Sequence, residues 1–355
     1  MRFGGAERVA STWADGLIRM GHKVAVYADF SQGESYHLNP QVKRYNSTPR
    51  RTSSSIGKVT RSVRTIATLR SAVLDFIPDV VVLLLHAFSP EILVVRRLTY
   101  HFKIVSTEHN SFERPASAPI SRKESYRKFI LNRRYDAVSV LTVPDKAIAD
   151  AAGVENVHVL HNPLFTKPLD HLPDKDNIVL AVGRMDDWHY KGFDILIDAW
   201  KRISPAHPGW KLRIIGSGDD ASVDYLNSLA SGCDTIEFKP FTNNILEEYS
   251  KAAIFCLSSR YEGWGLVLAE AMSQHCAVVA CDYKGRQAEL VTDGVDGLLC
   301  KPEDAAALAG RISELITDSD LRHALQQAAA DNLAQYAPDR ICRQLEAILL
   351  EVVRK

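Results

Sequence analysis

Residues 164–176, LFTKPLDHLPDKD, divide this chain. They hold two prolines and mixed charge with no apolar period, which is the pattern of a linker. Ahead of them, short apolar runs alternate with amphipathic stretches, and behind them the same alternation starts again. The first half reads as helix to Met20, strand 23–28, strand 80–85, helix 91–100, strand 103–106, helix 122–134, and strands 137–141 and 157–160. The second half reads as strand 178–182, helix 193–203, strands 212–215 and 235–238, helix 245–251, and strands 254–257, 278–280 and 297–299. The run VVVLLL at 80–85 is continuously apolar, as a central parallel strand buried on both faces must be. Strands that alternate with helices build parallel sheets covered on both sides. The expected fold is therefore α/β, with two doubly wound, Rossmann-like domains at 1–166 and 167–335. A last amphipathic helix, 336–355, follows Pro338 and is expected to pack back on the first domain. With 355 residues, the chain is long enough for two full cores. An α/β chain normally opens on a strand, yet Met1-Arg2-Phe3 leads at once into Gly4-Gly5 and a helix. The first sheet is thus expected to begin one strand short, with this start lying inside a longer reading frame.

Charge separates the halves. Residues 1–160 carry 23 Lys and Arg against 14 Asp and Glu, and the remainder carries 20 against 29, although the whole is neutral. The basic residues Lys43, Arg44, Arg50, Arg51, Lys58, Arg61, Arg64 and Arg70 fall in a segment with no acidic residue before Asp75. With Ser53-Ser54-Ser55 at its centre, this segment reads as a loop leading into a basic helix. A like-charged run with interspersed apolar residues suits anionic lipid headgroups, and it equally suits a solvated helix face. Nucleic acid fits less well, because no aromatics interleave these cations. The six cysteines form no CxxC pair, so neither zinc nor a disulfide framework is indicated. They read as small core residues of a reduced protein. No signal peptide is seen, and the longest apolar run is too short to cross a bilayer. The expected location is cytoplasmic, at most peripheral on the inner face of a membrane.

Chemistry concentrates in the stretch SSRYEGWGLVLAEAMSQHCAVVACDYKGRQAE, residues 258–289. Two glycines, Gly263 and Gly265, precede a helical segment at 266–272. Glycine lets a backbone approach a ligand, and the free N–H groups of a helix start favour an anion. Glu262 lies in the loop, and Glu270 lies about two turns along the helix. Carboxylates beside an anion site suit a phosphorylated sugar, whose hydroxyls donate hydrogen bonds. Arg184, just past a strand, and Lys191, at the head of the next helix, could clamp a diphosphate. Each alone would read as a surface cation. The run Gly216-Ser217-Gly218-Asp219-Asp220-Ala221 fits GxGxxA, but it follows a middle strand of its domain and is a weak dinucleotide signal. His109 follows the strand 103–106, where open α/β sheets place ligands, though a lone loop histidine is more often structural. His158 and His161 would face opposite sides of a strand and make no metal pair.

These residues together closely resemble family 4 glycosyltransferases of the GT-B fold, over nearly the whole chain. GGAERV at 4–9 resembles the family's first glycine loop. GR…KG at 183–192 resembles its phosphate-binding pair, with a longer gap than is usual. EGWGLVLAEAM at 262–272 resembles its E-x7-E signature, and DGVDGLL at 293–299 the turn and strand that follow. SQHCA at 273–277 and GRQAE at 285–289 depart from the family pattern, which bears on the donor sugar. The resemblance implies two domains facing across a cleft and a retaining transfer from a nucleotide-diphosphate sugar, UDP favoured and GDP possible, without a metal cofactor. It implies that Arg184 and Lys191 hold the diphosphate and that Glu270 binds ribose. Glu262 would contact the hexose, the N–H groups of Gly265, Leu266 and Val267 the phosphates or sugar, and Gly5 and Gly216 would line the donor. His109 would contact the sugar near the anomeric centre. The implied acceptor is a saccharide or a lipid-linked saccharide of cell-surface glycan assembly. A non-catalytic nucleotide-sugar-binding module and a GT-B nucleotide-sugar epimerase are the alternatives.

Overall fold

The structure is a computed structural model that describes residues 5–31, 36–47, 55–85 and 87–355, with backbone alone for 55–59. Gly4, Arg50, Arg51, Ser53 and Ser54 lie outside the described residues, as does the side chain of Lys58. The chain divides into two compact units. The first holds Met1–Glu113, Ile120–Pro163 and Tyr336–Lys355, and the second Arg114–Pro119 and Leu164–Gln335.

In the first unit β1 (Ala25–Ala28) pairs with β2 (Lys43–Asn46), and β3 (Val80–Leu84), β4 (Lys103–Thr107), β5 (Ala137–Val140) and β6 (Val157–Val159) form a second sheet in that order. All pairings are parallel. Among the described residues no strand joins the two sheets. Leu69 and Val73 of helix Ser55–Phe76 pack with Ile92, Val95 and Ile104 over one face of the larger sheet. Phe112, Val138, Ala149 and Val157 make a further cluster. Full burial of such a side chain stabilises by roughly 1.5–3 kcal/mol.

Two expectations are corrected here. The segment at 43–46, read as loop, is a strand, and its exposed cations pair locally. Lys43 pairs with Asp75 at 2.6 Å, and Arg44 donates to the carbonyls of Val42 and Leu38. The basic helix at 122–134 is not one regular helix. It passes from α (Arg122–Tyr126) through a π turn (Arg127–Leu131) to a 3-10 turn (Asn132–Arg134). Within the π turn Lys128 is buried and donates to the carbonyls of Asn110 and Ser111 at 2.8 and 2.5 Å. A buried cation needs such acceptors, and these fasten the loop that carries His109.

The final helix, Pro338–Arg354, packs against the first, Gly5–Arg19. Gly16 permits that approach: a Cβ there would stand 2.3 Å from Cys342 Sγ. His22 Nε2 meets Glu346 Oε1 at 2.6 Å along the same seam.

In the second unit, β7 (Asp176–Val182), β8 (Lys211–Ile215), β9 (Ile236–Lys239), β10 (Ala252–Leu257), β11 (Ala277–Cys281) and β12 (Leu298–Cys300) form one parallel sheet. Its order is β12-β11-β10-β7-β8-β9. This is the doubly wound order, in which the chain reverses direction between β7 and β10, and ligands of such sheets bind outside the carboxyl ends at that point. Helix Phe193–Ile203 supplies Phe193, Leu196, Ile197, Ala199 and Trp200 to the core. The Trp200 ring nitrogen donates to Thr235 Oγ1 at 3.0 Å, so its polar atom is satisfied. All six cysteines are free thiols. Among the described residues no helix is long and apolar enough to cross a membrane.

Candidate functional site

The carboxyl ends of β7 and β10, neighbours at the reversal, build the site. β7 runs into Gly183-Arg184 and then a short helix, Trp188–Lys191, which ends at Gly192 with φ of 64°. Only glycine fits there, because a Cβ would lie 2.1 Å from the Ser258 carbonyl oxygen at the end of β10. The two loops are laced together. Ser258 Oγ donates to the Lys191 carbonyl at 2.9 Å, and the Arg260 N–H donates to the Tyr190 carbonyl at 3.0 Å.

Glu262 is the hub. Its Oε1 accepts from Lys191 Nζ at 2.6 Å and Ser259 Oγ at 2.9 Å, and its Oε2 from Tyr190 Oη at 2.7 Å. The Lys191 and Glu262 side chains are 17% and 11% exposed, so this pair is shielded from water. Burial, and next the Glu262 charge, pushes the Tyr190 hydroxyl well above its usual value, which keeps it a proton donor. Beneath the hub, Arg260 grips Asp194 by both oxygens at 2.8 and 2.7 Å and reaches Glu303 at 3.1 Å. Such a two-pronged pair is rigid.

Arg184 stands differently. Its side chain is 69% exposed and pairs with Asp186, with Nε to Oδ1 at 3.0 Å. The hydrogen bond to Asp186, and then Asp187, raises its guanidinium above the usual value. The structure thus brings Lys191 to Glu262 and holds Arg184 with its own loop's carboxylates.

Gly265, with φ of 97°, opens helix Leu266–Ser273, and no side chain caps that start. Leu266, Val267 and Glu270 are half-buried on this helix, and Trp264 before it is buried. Gly216 is explained by close packing. A Cβ there would lie 1.8 Å from the Gly183 carbonyl oxygen, and one at Gly218 would lie 2.8 Å from the Asp186 N–H nitrogen. The GxGxxA match is therefore the seat of the Arg184 loop.

The remaining two expected residues lie in the first unit. Gly5 begins helix Gly5–Arg19 and is exposed. His109, past β4, is half-buried beside Trp13, ring centroids 5.8 Å apart, with Nδ1 3.1 Å from Asn162 Oδ1. Burial pushes its pKa down to about 4, so it is neutral near pH 7. Donation from Nδ1 to the Asn162 oxygen leaves Nε2 as an acceptor, and Nε2 is buried with no partner.

Sequence reasoning missed Tyr190, Ser259, Asp194 and Arg260. Tyr190 adjoins Lys191, and Ser259 and Arg260 lie three and two residues before Glu262, so nearness to the predicted charges was the available signal.

Residues 167–332 match the model of the glycosyl transferases group 1, and residues 3–167 that of glycosyltransferase family 4. The chain belongs to the glycosyltransferases. Among curated proteins, the amylovoran biosynthesis glycosyltransferase AmsD of Erwinia amylovora is 27% identical, over 98% of this chain and 96% of the relative. A Campylobacter jejuni alpha-1,4-N-acetyl-D-galactosaminyltransferase, named for a GalNAc-GalNAc-diNAcBac-PP-undecaprenol, is 26% identical over the same shares. Among solved structures, HepE of Anabaena in complex with UDP and glucose has a TM-score of 0.76 at 20% identity, covering 98% of this chain and 96% of that one. The two Rossmann-like units of this glycosyltransferase are those of the GT-B fold.

Proposed function

We propose that this glycosyltransferase moves a hexose-type sugar, with retention of configuration, from a nucleotide diphosphate to a saccharide or lipid-linked acceptor in cell-surface glycan assembly. UDP is favoured over GDP. The observation that carries the reading is the Lys191–Glu262 pair, shielded at the carboxyl ends of β7 and β10 beside the uncapped helix start at Leu266. AmsD and the Campylobacter enzyme support the class of acceptor by their names, and HepE supports UDP by its bound ligand.

In this reading the diphosphate meets Lys191, Arg184 and the N–H groups of Gly265, Leu266 and Val267, with Gly5 and Gly216 against the donor. Glu270 takes the ribose hydroxyls and Glu262 the hexose hydroxyls. His109 Nε2 accepts a hydrogen bond from a hydroxyl of the sugar. The pre-positioned cations stabilise charge that develops on the departing diphosphate. Such electrostatic stabilisation is usually the largest single contribution to catalysis. The departing phosphate takes the acceptor's proton, so no enzyme carboxylate serves as nucleophile, and no metal is assigned.

The same reading seats the first unit on an anionic membrane through residues 43–70. With Lys43 and Arg44 engaged locally, the support lies on helix Ser55–Phe76, where Arg64 and Arg70 are exposed with Val63 and Leu74. Helix Ser89–Leu98 packs beside it and exposes Val94, Arg97 and Leu98. Cations interleaved with apolar side chains suit a lipid surface.

The test is donor turnover with UDP- and GDP-sugars. One of them is expected to be hydrolysed slowly alone and faster with a lipid-linked acceptor. Absence of binding to any nucleotide sugar, or unchanged turnover in Glu262→Ala and Arg184→Ala, would contradict the reading.

A further inference from the structure

Cys281 closes β11, and Cys300 closes β12, the edge strand of the second unit's sheet. The strands run parallel, and the two cysteines are register partners. Their sulfurs lie 3.8 Å apart and share a hydrogen bond. The backbone clasps the same spot, because the Asp282 N–H donates to the Cys300 carbonyl at 2.9 Å. The two thiols therefore stay opposed.

This pairing separates them from the other four cysteines. Cys276 and Cys342 turn to backbone carbonyls, of Tyr249 at 3.0 Å and Thr12 at 3.6 Å. Cys233 meets the hydroxyls of Ser204 and Thr235, each at 3.4 Å. Cys256 of β10 stands level with Val279, two residues short of Cys281, and β11 separates it from Cys300.

The two thiols also differ in a way that orders a reaction. Cys281 is 2% exposed, whereas Cys300 is half-buried. The bond from Cys281, aided by the Arg311 guanidinium, holds the Cys300 thiol below its ordinary value against its burial. The same bond, with burial, raises the Cys281 thiol. Arg311 is fixed there by the Leu299 carbonyl at 3.2 Å and by Asp293 and Glu314, both at 3.1 Å. The thiolate is the reactive form of cysteine, so an oxidant meets Cys300 first. A disulfide needs Cα atoms about 4.4–6.8 Å apart, and neighbouring strands, about 4.7–4.9 Å apart, fall inside that range. The sulfurs must close from 3.8 Å to about 2.05 Å, and each swings on a single Cα–Cβ bond.

We propose that Cys281 and Cys300 are a peroxide-reactive pair that joins in a reversible disulfide across the ends of β11 and β12. The Cys300 thiolate attacks one oxygen of hydrogen peroxide; an S–O bond forms, the O–O bond breaks, and the hydroxide released takes up a proton. The Cys281 sulfur then attacks the sulfenic sulfur of Cys300, and the S–O bond breaks as the oxygen leaves with a proton as water. Two electrons pass from the thiols to one peroxide, giving one disulfide and two waters. A dithiol returns the free pair by exchange. The site does not rest on the function proposed above.

The experiment is treatment of the full chain with hydrogen peroxide, read by intact mass and by peptide mapping without reduction. The wild type is expected to lose the mass of two hydrogen atoms and to yield one cross-link, between the peptides of Cys281 and Cys300. Dithiothreitol is expected to reverse both. Cys300→Ser should form no cross-link, and Cys281→Ser should stop at a sulfenic acid on Cys300 that dimedone traps. Cys256→Ser should behave as the wild type does. Should Cys281→Ser fail to fold, the wild-type map and Cys300→Ser decide. A cross-link through Cys256 or Cys233, oxygen added to Cys281 and Cys300 without a cross-link, or a wild type unchanged by peroxide that oxidises free glutathione would overturn the proposal.

Discussion

The polar groups past β10 and the histidine past β4 occupy equivalent places at the carboxyl ends of parallel strands, yet they are built oppositely. Glu262 is met by three donors within its own unit, from Tyr190, Lys191 and Ser259. His109 makes one hydrogen bond, to Asn162, and among the described residues its other nitrogen is buried with none. A satisfied carboxylate costs the fold little and is held in place before any ligand arrives. An orphaned imidazole nitrogen costs stability that only an added donor returns. The first is a preorganised charge site, and the second a buried acceptor without a donor.

The comparison breaks most sharply at Glu262. Glu262→Ala is expected to lower turnover of the nucleotide sugar about 10²–10³-fold, the range for removing one positioned electrostatic group, while the melting temperature moves only modestly. A tenfold or smaller loss would make Glu262 a brace for Lys191 and nothing more. Gly192→Ala comes next. A Cβ clashing with the Ser258 carbonyl, at φ of 64°, should cost about 1–3 kcal/mol of stability and separate Lys191 from Glu262, as denaturant unfolding and donor binding together would read.

His109 predicts a pH signature. Its folded pKa of about 4 lies below the ordinary 6.5, so the unfolded chain takes up a proton before the folded chain does. The folded state therefore has its full stability above about pH 6.5 and loses it as the pH falls towards 4, by about 3 kcal/mol at most. His109→Gln should flatten that slope in thermal melts between pH 7 and 4 and leave stability above pH 7 little changed. An unaltered slope would remove His109 as the buried base. The smallest effect is at Asp186. Asp186→Asn loosens an exposed ion pair worth about 0–1 kcal/mol, and should lower the donor KM by no more than about fivefold by freeing Arg184.

Much of the second unit was legible in the sequence, for a physical reason. Its strands β10 and β11 are continuous apolar runs, and helices such as Phe193–Ile203 and Ile245–Lys251 fall where periodicity puts them. Arg184 with Lys191 and Glu262 with Glu270 were each read from one stretch, and it was the family resemblance that set the two stretches at one site. What escaped was lateral. That Tyr190 and Ser259 share Glu262, and that Arg260 grips Asp194, depends on which strands are neighbours, and sequence order does not state that β7 lies beside β10. In the first unit, β2 was hidden because Lys43 and Arg44 carry the signature of a solvated loop, and only Asp75 and the Val42 and Leu38 carbonyls explain them. The π turn at Arg127–Leu131 was equally invisible, since it exists to turn Lys128 inward towards two carbonyl oxygens.

The central claim is that the nucleotide diphosphate binds at the carboxyl ends of β7 and β10. Calorimetric titration of UDP into the wild type and into Lys191→Met tests it most directly. The account predicts a single site weakened about tenfold or more in the variant, the loss of one charge-assisted bond to phosphate. Equal UDP affinity in the two proteins would contradict it.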